Sequence, residues 1–206
     1  MTPPGTVHIV DDDVATRESV GAVLTASGFS VRTYASAADF MAQTDDGPGC
    51  VVTDIRMPNI DGLELQRRLL NKAARMPVIV MTGFSDIAIA VQAMKNGALD
   101  VLEKPFELED LIAIVNRALA ESHRLRDQAA ATGEAAARLA RLTRREREVF
   151  DLLISGLSNK EIASKLGGSP RTVEVHRGRI MEKLDIDSVA GLVRLSFLAA
   201  GKEAPS

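Results

Sequence analysis

At 206 residues, the chain is long enough for one large domain or two small ones. Its hydrophobic content of 46% and charged content of 26% are those of an ordinary soluble globular protein; with 3% aromatics and no Trp, its cores must rest on Val, Leu, Ile, Ala and Met. A single cysteine, Cys50, excludes an internal disulfide, and there is neither a basic-plus-apolar leader nor a run of about 18 apolar residues, so a cytoplasmic protein without membrane contact is expected.

The net charge of −3 conceals an asymmetry. From Arg138 onward there are 13 Lys and Arg against 9 Asp and Glu, a net +4; the preceding residues carry 12 against 19, a net −7. An acidic front and a basic back predict two modules with different partners.

Val7 to Val10 is a short apolar strand, interrupted by His8, that runs into Asp11, Asp12 and Asp13. Val14, Val20, Val23 and Leu24 then recur at roughly helical spacing, and Gly28 closes that segment. Phe29 to Tyr34 reads as a second strand, with Ser36 capping a helix to about Gln43. Cys50, Val51 and Val52 have the look of a strand buried on both faces; Thr53 and Asp54 fall at its carboxyl end, and Pro58 stops it. Leu63, Leu65, Leu69 and Leu70 predict a helix over Gly62 to Ala73. Pro77 to Met81 is a fourth strand ending in Thr82 and Gly83, and Ser85 or Asp86 caps the next helix, which runs to Asn96. Leu99 to Leu102 is a fifth strand, followed by Glu103, Lys104 and Pro105, and the chain is strongly helical from Glu107. Five strand–helix alternations predict an α/β doubly wound, five-stranded parallel sheet with helices on both faces.

The stretch 123–141 is rich in Ala, Arg, Gln and Glu and reads as a helical linker. Either the fifth helix continues through it as a stalk, or it is a solvated connector. Residues 142–206 predict a small all-α module of four helices. Thr143 and Glu146 have capping-box spacing ahead of a helix to Ile154. Ser158 caps a helix over Asn159 to Leu166, Gly167 and Gly168 make a turn, and Ser169 caps a third helix that starts at Pro170 and runs to about Leu184. A fourth covers roughly Ser188 to Ala199. Helix, glycine turn, helix is the signature of a DNA-binding pair.

In a doubly wound sheet, ligands bind outside the carboxyl ends of the strands. Asp11 and Asp12, Asp54, Thr82 and Lys104 all stand at such ends. Carboxylates sharing one cleft repel each other unless a cation is present, and hard oxygen donors suit Mg²⁺. Asp54 is then a carboxylate nucleophile for a phosphoryl group, with the metal, Lys104 and the Thr82 hydroxyl meeting the phosphoryl oxygens. Taken singly, each residue has a plainer reading: an acidic run in a solvated turn, a surface lysine, a threonine cap. Their joint placement on successive strand ends is what argues for a site.

With IVDDD, VVTDIRMPNIDG, PVIVMTG and LEKPF at these spacings, residues 1–122 resemble the receiver domain of two-component response regulators, a flavodoxin-like fold. The resemblance implies that Asp54 accepts phosphate from a sensor histidine kinase. It implies Mg²⁺ held by Asp11, Asp12, Asp54 and the backbone carbonyl of Arg56, and Thr82 and Lys104 sensing the phosphorylated state. It also implies a cis Lys104–Pro105 bond, while Asp13 looks like a loop residue rather than a ligand. Val101 departs from the pattern, since receivers commonly carry there an aromatic that rotates inward; the switch is expected to work through repacking of the fourth helix and through the face made by the fourth helix, fifth strand and fifth helix, where many family members dimerise.

LTRREREVF, LSNKEIASKL and SPRTVEVHRGRIMEKL resemble the LuxR/FixJ-type helix-turn-helix effector, and the whole chain is similar to a FixJ-type response regulator. By that resemblance the third helix of the module enters the major groove of double-stranded DNA, with Glu174, Val175 and Gly178 facing the bases. Asn159, Lys160, Arg171, Thr172, Arg177, Arg179 and Lys183 are candidates for phosphate contacts, though Arg177 or Arg179 could instead read a guanine. A net charge of only +4 fits a homodimer on a paired site, formed on phosphorylation. Gly168 departs from the pattern where an apolar turn residue is usual. Two other readings compete with a phosphorylation-controlled transcription factor. One is a constitutive DNA-binding regulator with a vestigial receiver. The other is a Mg²⁺-dependent aspartyl phosphohydrolase, against which Arg56 stands where such enzymes carry a second Asp. The expectation is a regulator, not an enzyme.

Overall fold

The computed structural model describes residues 5–43, 47–70, 76–83 and 87–202. The chain divides into two compact units, Met1–Arg126 and Asp127–Ser206.

The first unit holds strands β1 (Thr6–Val10), β2 (Ser30–Tyr34), β3 (Gly49–Asp54), β4 (Val78–Gly83) and β5 (Asp100–Lys104). They form one sheet in the order β2-β1-β3-β4-β5, every neighbouring pair parallel. Between them run helices α1 (Val14–Ala26), α2 (Ala37–Gln43), α3 (Gly62–Leu70) and α4 (Ile87–Lys95), and α5 (Leu108–Leu139) follows β5. The two-residue period of the strands splits the core. Val7, Ile9, Cys50, Val52, Ile79 and Met81 pack with Val20 and Leu24 of α1 and with Leu111, Val115 and Leu119 of α5. Val10, Val51, Val78 and Val80 face the other way, onto Phe40 of α2, Leu65 and Leu69 of α3 and Ala93 of α4. Cys50 is fully buried, and burial pushes its thiol up to about 12, so it is a small inert core residue. The strand order reverses between β1 and β3, which opens a crevice at their carboxyl ends.

Two expected features, the caps Ser85 or Asp86 and the end of the third helix beyond Leu70, lie outside the described residues. Asp13 is the N-cap of α1, accepting the Thr16 N–H at 3.0 Å, so it is a loop residue. The Lys104–Pro105 bond is cis. Val101 is half-buried and packs on the α2–α3–α4 side of the core.

The second unit contains α6 (Arg144–Ile154), α7 (Asn159–Leu166), α8 (Pro170–Leu184) and α9 (Val189–Ala199). Thr143 and Glu146 close a capping box on α6, and Ser158 and Glu161 close another on α7. Gly167 ends α7 in the left-handed region, φ 66°, where glycine meets no Cβ penalty. Phe150, Ile162, Val173, Ile180, Leu184 and Leu192 make its core. Ala135 and Leu139, from the last turns of α5, are buried in that same core. The 123–141 stretch is thus helical throughout the part up to Leu139, and its end is packed rather than solvated.

Candidate functional site

The crevice gathers Asp11, Asp54 and Lys104. Asp11 follows β1, one step beyond the Val10–Thr53 register that places it beside Asp54 at the end of β3. Lys104 ends β5, and its Nζ donates to Asp54 Oδ1 at 2.6 Å and to Asp11 Oδ2 at 3.1 Å. The second oxygens are also held: Asp11 Oδ1 accepts the Asp13 N–H at 2.9 Å, and Asp54 Oδ2 accepts the Arg56 N–H at 2.7 Å. Asp11 is 1% exposed. Burial raises its carboxyl above the ordinary value, and the neighbouring Asp54 charge adds to this, while the Asp13 amide and Lys104 oppose it. For Lys104, burial works against the charge, but the hydrogen bonds and charges of Asp54 and Asp11 outweigh it and raise the ammonium.

Two residues that sequence reasoning overlooked shape this crevice. Arg17 of α1 donates Nη1 to the Asp11 carbonyl at 2.6 Å, fixing the acidic loop from behind. Gly62 stands where a Cβ would collide with the Asp54 carbonyl, so only glycine lets α3 start against the end of β3. The Asp61–Gly62 pair was the available signal.

Other expected members are not drawn into the ionic cluster. Asp12 is exposed. Thr82 is 5% exposed, and its Oγ1 donates to the Gly83 carbonyl at 3.3 Å. Among the described residues, no three His, Cys, Asp or Glu side chains already converge as a metal cage. The donor set nevertheless fits Mg²⁺. Asp11, Asp12 and Asp54 against Lys104 leave two negative charges, the donors are hard oxygens, and the buried Asp11 carboxylate is only partly compensated.

On the second unit, Arg171, Thr172, Glu174, Val175, Gly178 and Arg179 of α8 are exposed, as is Lys160 of α7; Arg177 and Asn159 are half-buried. Ser169 caps the helix, its Oγ accepting the Thr172 N–H at 3.1 Å. Lys183, a candidate for phosphate contact, is engaged within the unit. Its Nζ donates to Glu146 Oε2 at 2.7 Å, and Glu146 is 3% exposed. The same Glu146 oxygen accepts the Thr143 N–H and hydroxyl at 2.8 and 2.9 Å. The Lys183 hydrogen bond comes first among the causes that hold the Glu146 carboxyl at about 2. Arg145 Nη2 donates to the Leu166 carbonyl at 2.6 Å, and Arg138 donates to the Leu184 carbonyl, so two arginines tie down the ends of α7 and α8.

Comparison with known proteins places both units. Residues 7–116 match the response regulator receiver domain, and residues 140–196 match the bacterial regulatory proteins of the luxR family. The transcriptional regulatory protein FixJ of Azorhizobium caulinodans is 48% identical over 194 residues, covering 94% of this chain and 92% of that one. The response regulator StyR has a solved structure with a TM-score of 0.77 at 38% identity, covering 93% and 98% of the two chains. Full-length FixJ from B. japonicum gives 0.58 at 41% identity, covering 97% and 98%. A parallel sheet with an acidic crevice, followed by a helical unit with an exposed α8 and matched over nearly its whole length by FixJ, makes this chain a FixJ-like two-component response regulator with a receiver domain and a LuxR-type DNA-binding domain.

Proposed function

We propose that this chain accepts a phosphoryl group on Asp54 from a sensor histidine kinase in a Mg²⁺-dependent reaction, then dimerises and binds promoter DNA through α8. The observation that carries the reading is Lys104 held between Asp54 and Asp11 at the carboxyl ends of the strands. A receiver over 1–122, a helical connector over 123–141 and a DNA-binding module over 142–206 is the corresponding division of labour. The setting is the cytoplasm, where kinase and promoter are both met; no described helix is long and apolar enough to cross a membrane.

An Asp54 oxygen forms the new O–P bond as the bond from phosphorus to the donor imidazole nitrogen breaks, and that nitrogen leaves with the electron pair. Lys104 already touches Asp54 Oδ1 and is placed to follow charge onto the phosphoryl oxygens. Asp11, Asp12, Asp54 and the Arg56 carbonyl would hold Mg²⁺, which when bound neutralises phosphoryl charge. Thr82 must exchange its present Gly83 partner for the phosphoryl group, and α4 is the next element after β4 in the chain. On α4, Ile87, Val91 and Met94 are exposed at helical spacing, an apolar stripe suited to a second copy of the chain. Val101 is already packed inward, so the signal runs through Thr82 and α4 without a swinging ring.

Acetyl phosphate with Mg²⁺ supplies the test. Phosphorylated protein should sediment as a dimer and retain duplex DNA, and Asp54→Ala should do neither. Equal DNA retention with and without donor would instead identify a constitutive binder, and sustained phosphomonoester turnover would identify a hydrolase.

A further inference from the structure

The outward face of α8 is polar or charged except at one place. Val173, Ile180 and Leu184 are buried and fix which side of the helix meets the core. On the opposite side Arg171, Val175, Gly178 and Glu182 succeed one another at helical spacing, all exposed. Val175 leaves 49% of its surface in solvent. Gly178, one turn on, offers only backbone.

Gly178 has no reason inside this chain to be glycine. It lies in the interior of α8, its φ is not positive, and a methyl built there meets no atom within 4 Å. Glycine in a helix interior is destabilising relative to alanine. The need for the space therefore lies outside the chain. Arg171 and Arg179 flank the spot on the exposed surface, which suits a polyanion whose phosphates they meet. In the major groove, thymine alone presents a methyl group at the base edge, and an apolar surface is its complement.

We propose that Val175 and Gly178 form a notch that takes the C5-methyl of a thymine, with Gly178 bringing the α8 backbone too close to the base edge for any side chain. This rests on the reading of α8 as the helix that enters the groove, and it makes Gly178 a specificity-determining residue. Arg171 and Arg179 hold the register, and the notch reads one base pair in each half-site.

The full-length protein, with acetyl phosphate and Mg²⁺, selects its site from a random duplex pool; that site is then resynthesised with deoxyuridine replacing one thymidine at a time. One thymine in each half-site should matter, its loss weakening wild-type binding about fourfold, as expected for one buried methyl. Gly178→Ala should bind the thymine site more weakly and recover on the deoxyuridine site, the methyl added to the protein being compensated by the one removed from DNA. Gly133 of α5 is the reference, since a methyl there also meets nothing within 4 Å. Gly133→Ala and Gly178→Ala should both raise the thermal midpoint, but only the second should change base preference. If every deoxyuridine substitution changes wild type and Gly178→Ala by the same factor, the notch is overturned. Should the wild type retain no duplex at all, the groove-entering reading of α8 fails, and the notch falls with it.

Discussion

Lys104 and Arg171 are both cations expected to meet phosphate, and the fold treats them differently. Lys104 is wedged between two carboxylates at 2.6 and 3.1 Å, one of them almost wholly buried. Arg171 stands exposed in the first turn of α8. In the crevice, Lys104 is already engaged by carboxylates of the protein, so an incoming phosphoryl group must displace existing partners. That is how a covalent change can be felt as a change of contacts. On α8 the charges wait for an external polyanion, whose attraction is long-ranged and falls with salt. A switch needs the first kind of site and a reader needs the second.

The largest test of that contrast removes the acceptor. Asp54→Ala should abolish acyl-phosphate formation, read as loss of a shifted band in phosphate-affinity electrophoresis, while thermal unfolding of the second unit stays unchanged. Any remaining Mg²⁺-dependent phosphorylation would mean that another carboxylate accepts the group. Next comes Glu146, the single buried charged side chain among the described residues of the reader. Glu146→Gln should destabilise the second unit by about 2 kcal/mol, since it weakens charged hydrogen bonds to Lys183 and Thr143. Because Lys183 is 38% exposed, the cost stays below that of a fully buried pair. The pH dependence follows from the depressed carboxyl. Its stabilisation is complete above the ordinary value of 4.5 and is lost as pH falls through about 2. Acid titration of the second unit should show that loss in the wild type and lack it in Glu146→Gln.

The crevice should answer in the opposite sense. Burial raises the Asp11 carboxyl, so the charged form opposes folding, and this group's contribution weakens as pH rises from 3.8 through the raised value. Asp11→Asn should therefore leave the metal-free receiver no less stable at neutral pH. A dication should relieve the strain in the wild type: Mg²⁺ at ten times its dissociation constant stabilises by about 1.4 kcal/mol, and the variant should lose that gain. A thermal midpoint equally Mg²⁺-sensitive in both proteins would remove Asp11 from the ligand set.

Much of this was legible before any coordinates. Alternation of apolar strands with helical periods fixed the sheet, and the positions of Asp11, Asp54 and Lys104 at strand ends predicted their meeting. Side-chain commitments were not legible in the same way. Lys183 reads as one more basic residue on α8 until Glu146, 37 residues earlier, is seen beside it. The capping-box motif explained Glu146 completely by local spacing, which hid its second, long-range partner. The alanine-rich end of α5 carried too weak an apolar period to show that Ala135 and Leu139 belong to a core. Gly62 and Arg17 act through backbone carbonyls, and a carbonyl has no letter in the sequence.

The smallest effect is the sharpest check on the independence of the two regions. Ser158 Oγ accepts the Glu161 N–H at 3.4 Å and donates to Glu161 Oε2 at 2.6 Å, at the exposed start of α7. Ser158→Ala should cost about 1 kcal/mol, the usual worth of an N-cap. That loss should fall on the second unit alone, because the box closes within the first turn of α7. DNA affinity should drop little, since α8 keeps its own cap at Ser169 and its ties through Lys183 and Arg138. Differential scanning calorimetry of the full chain separates the outcomes. A shift of both transitions would mean that the receiver's stability depends on the reader's, and the contrast between a crevice whose lysine is already engaged and an outward-facing helix would then describe one cooperative structure rather than two.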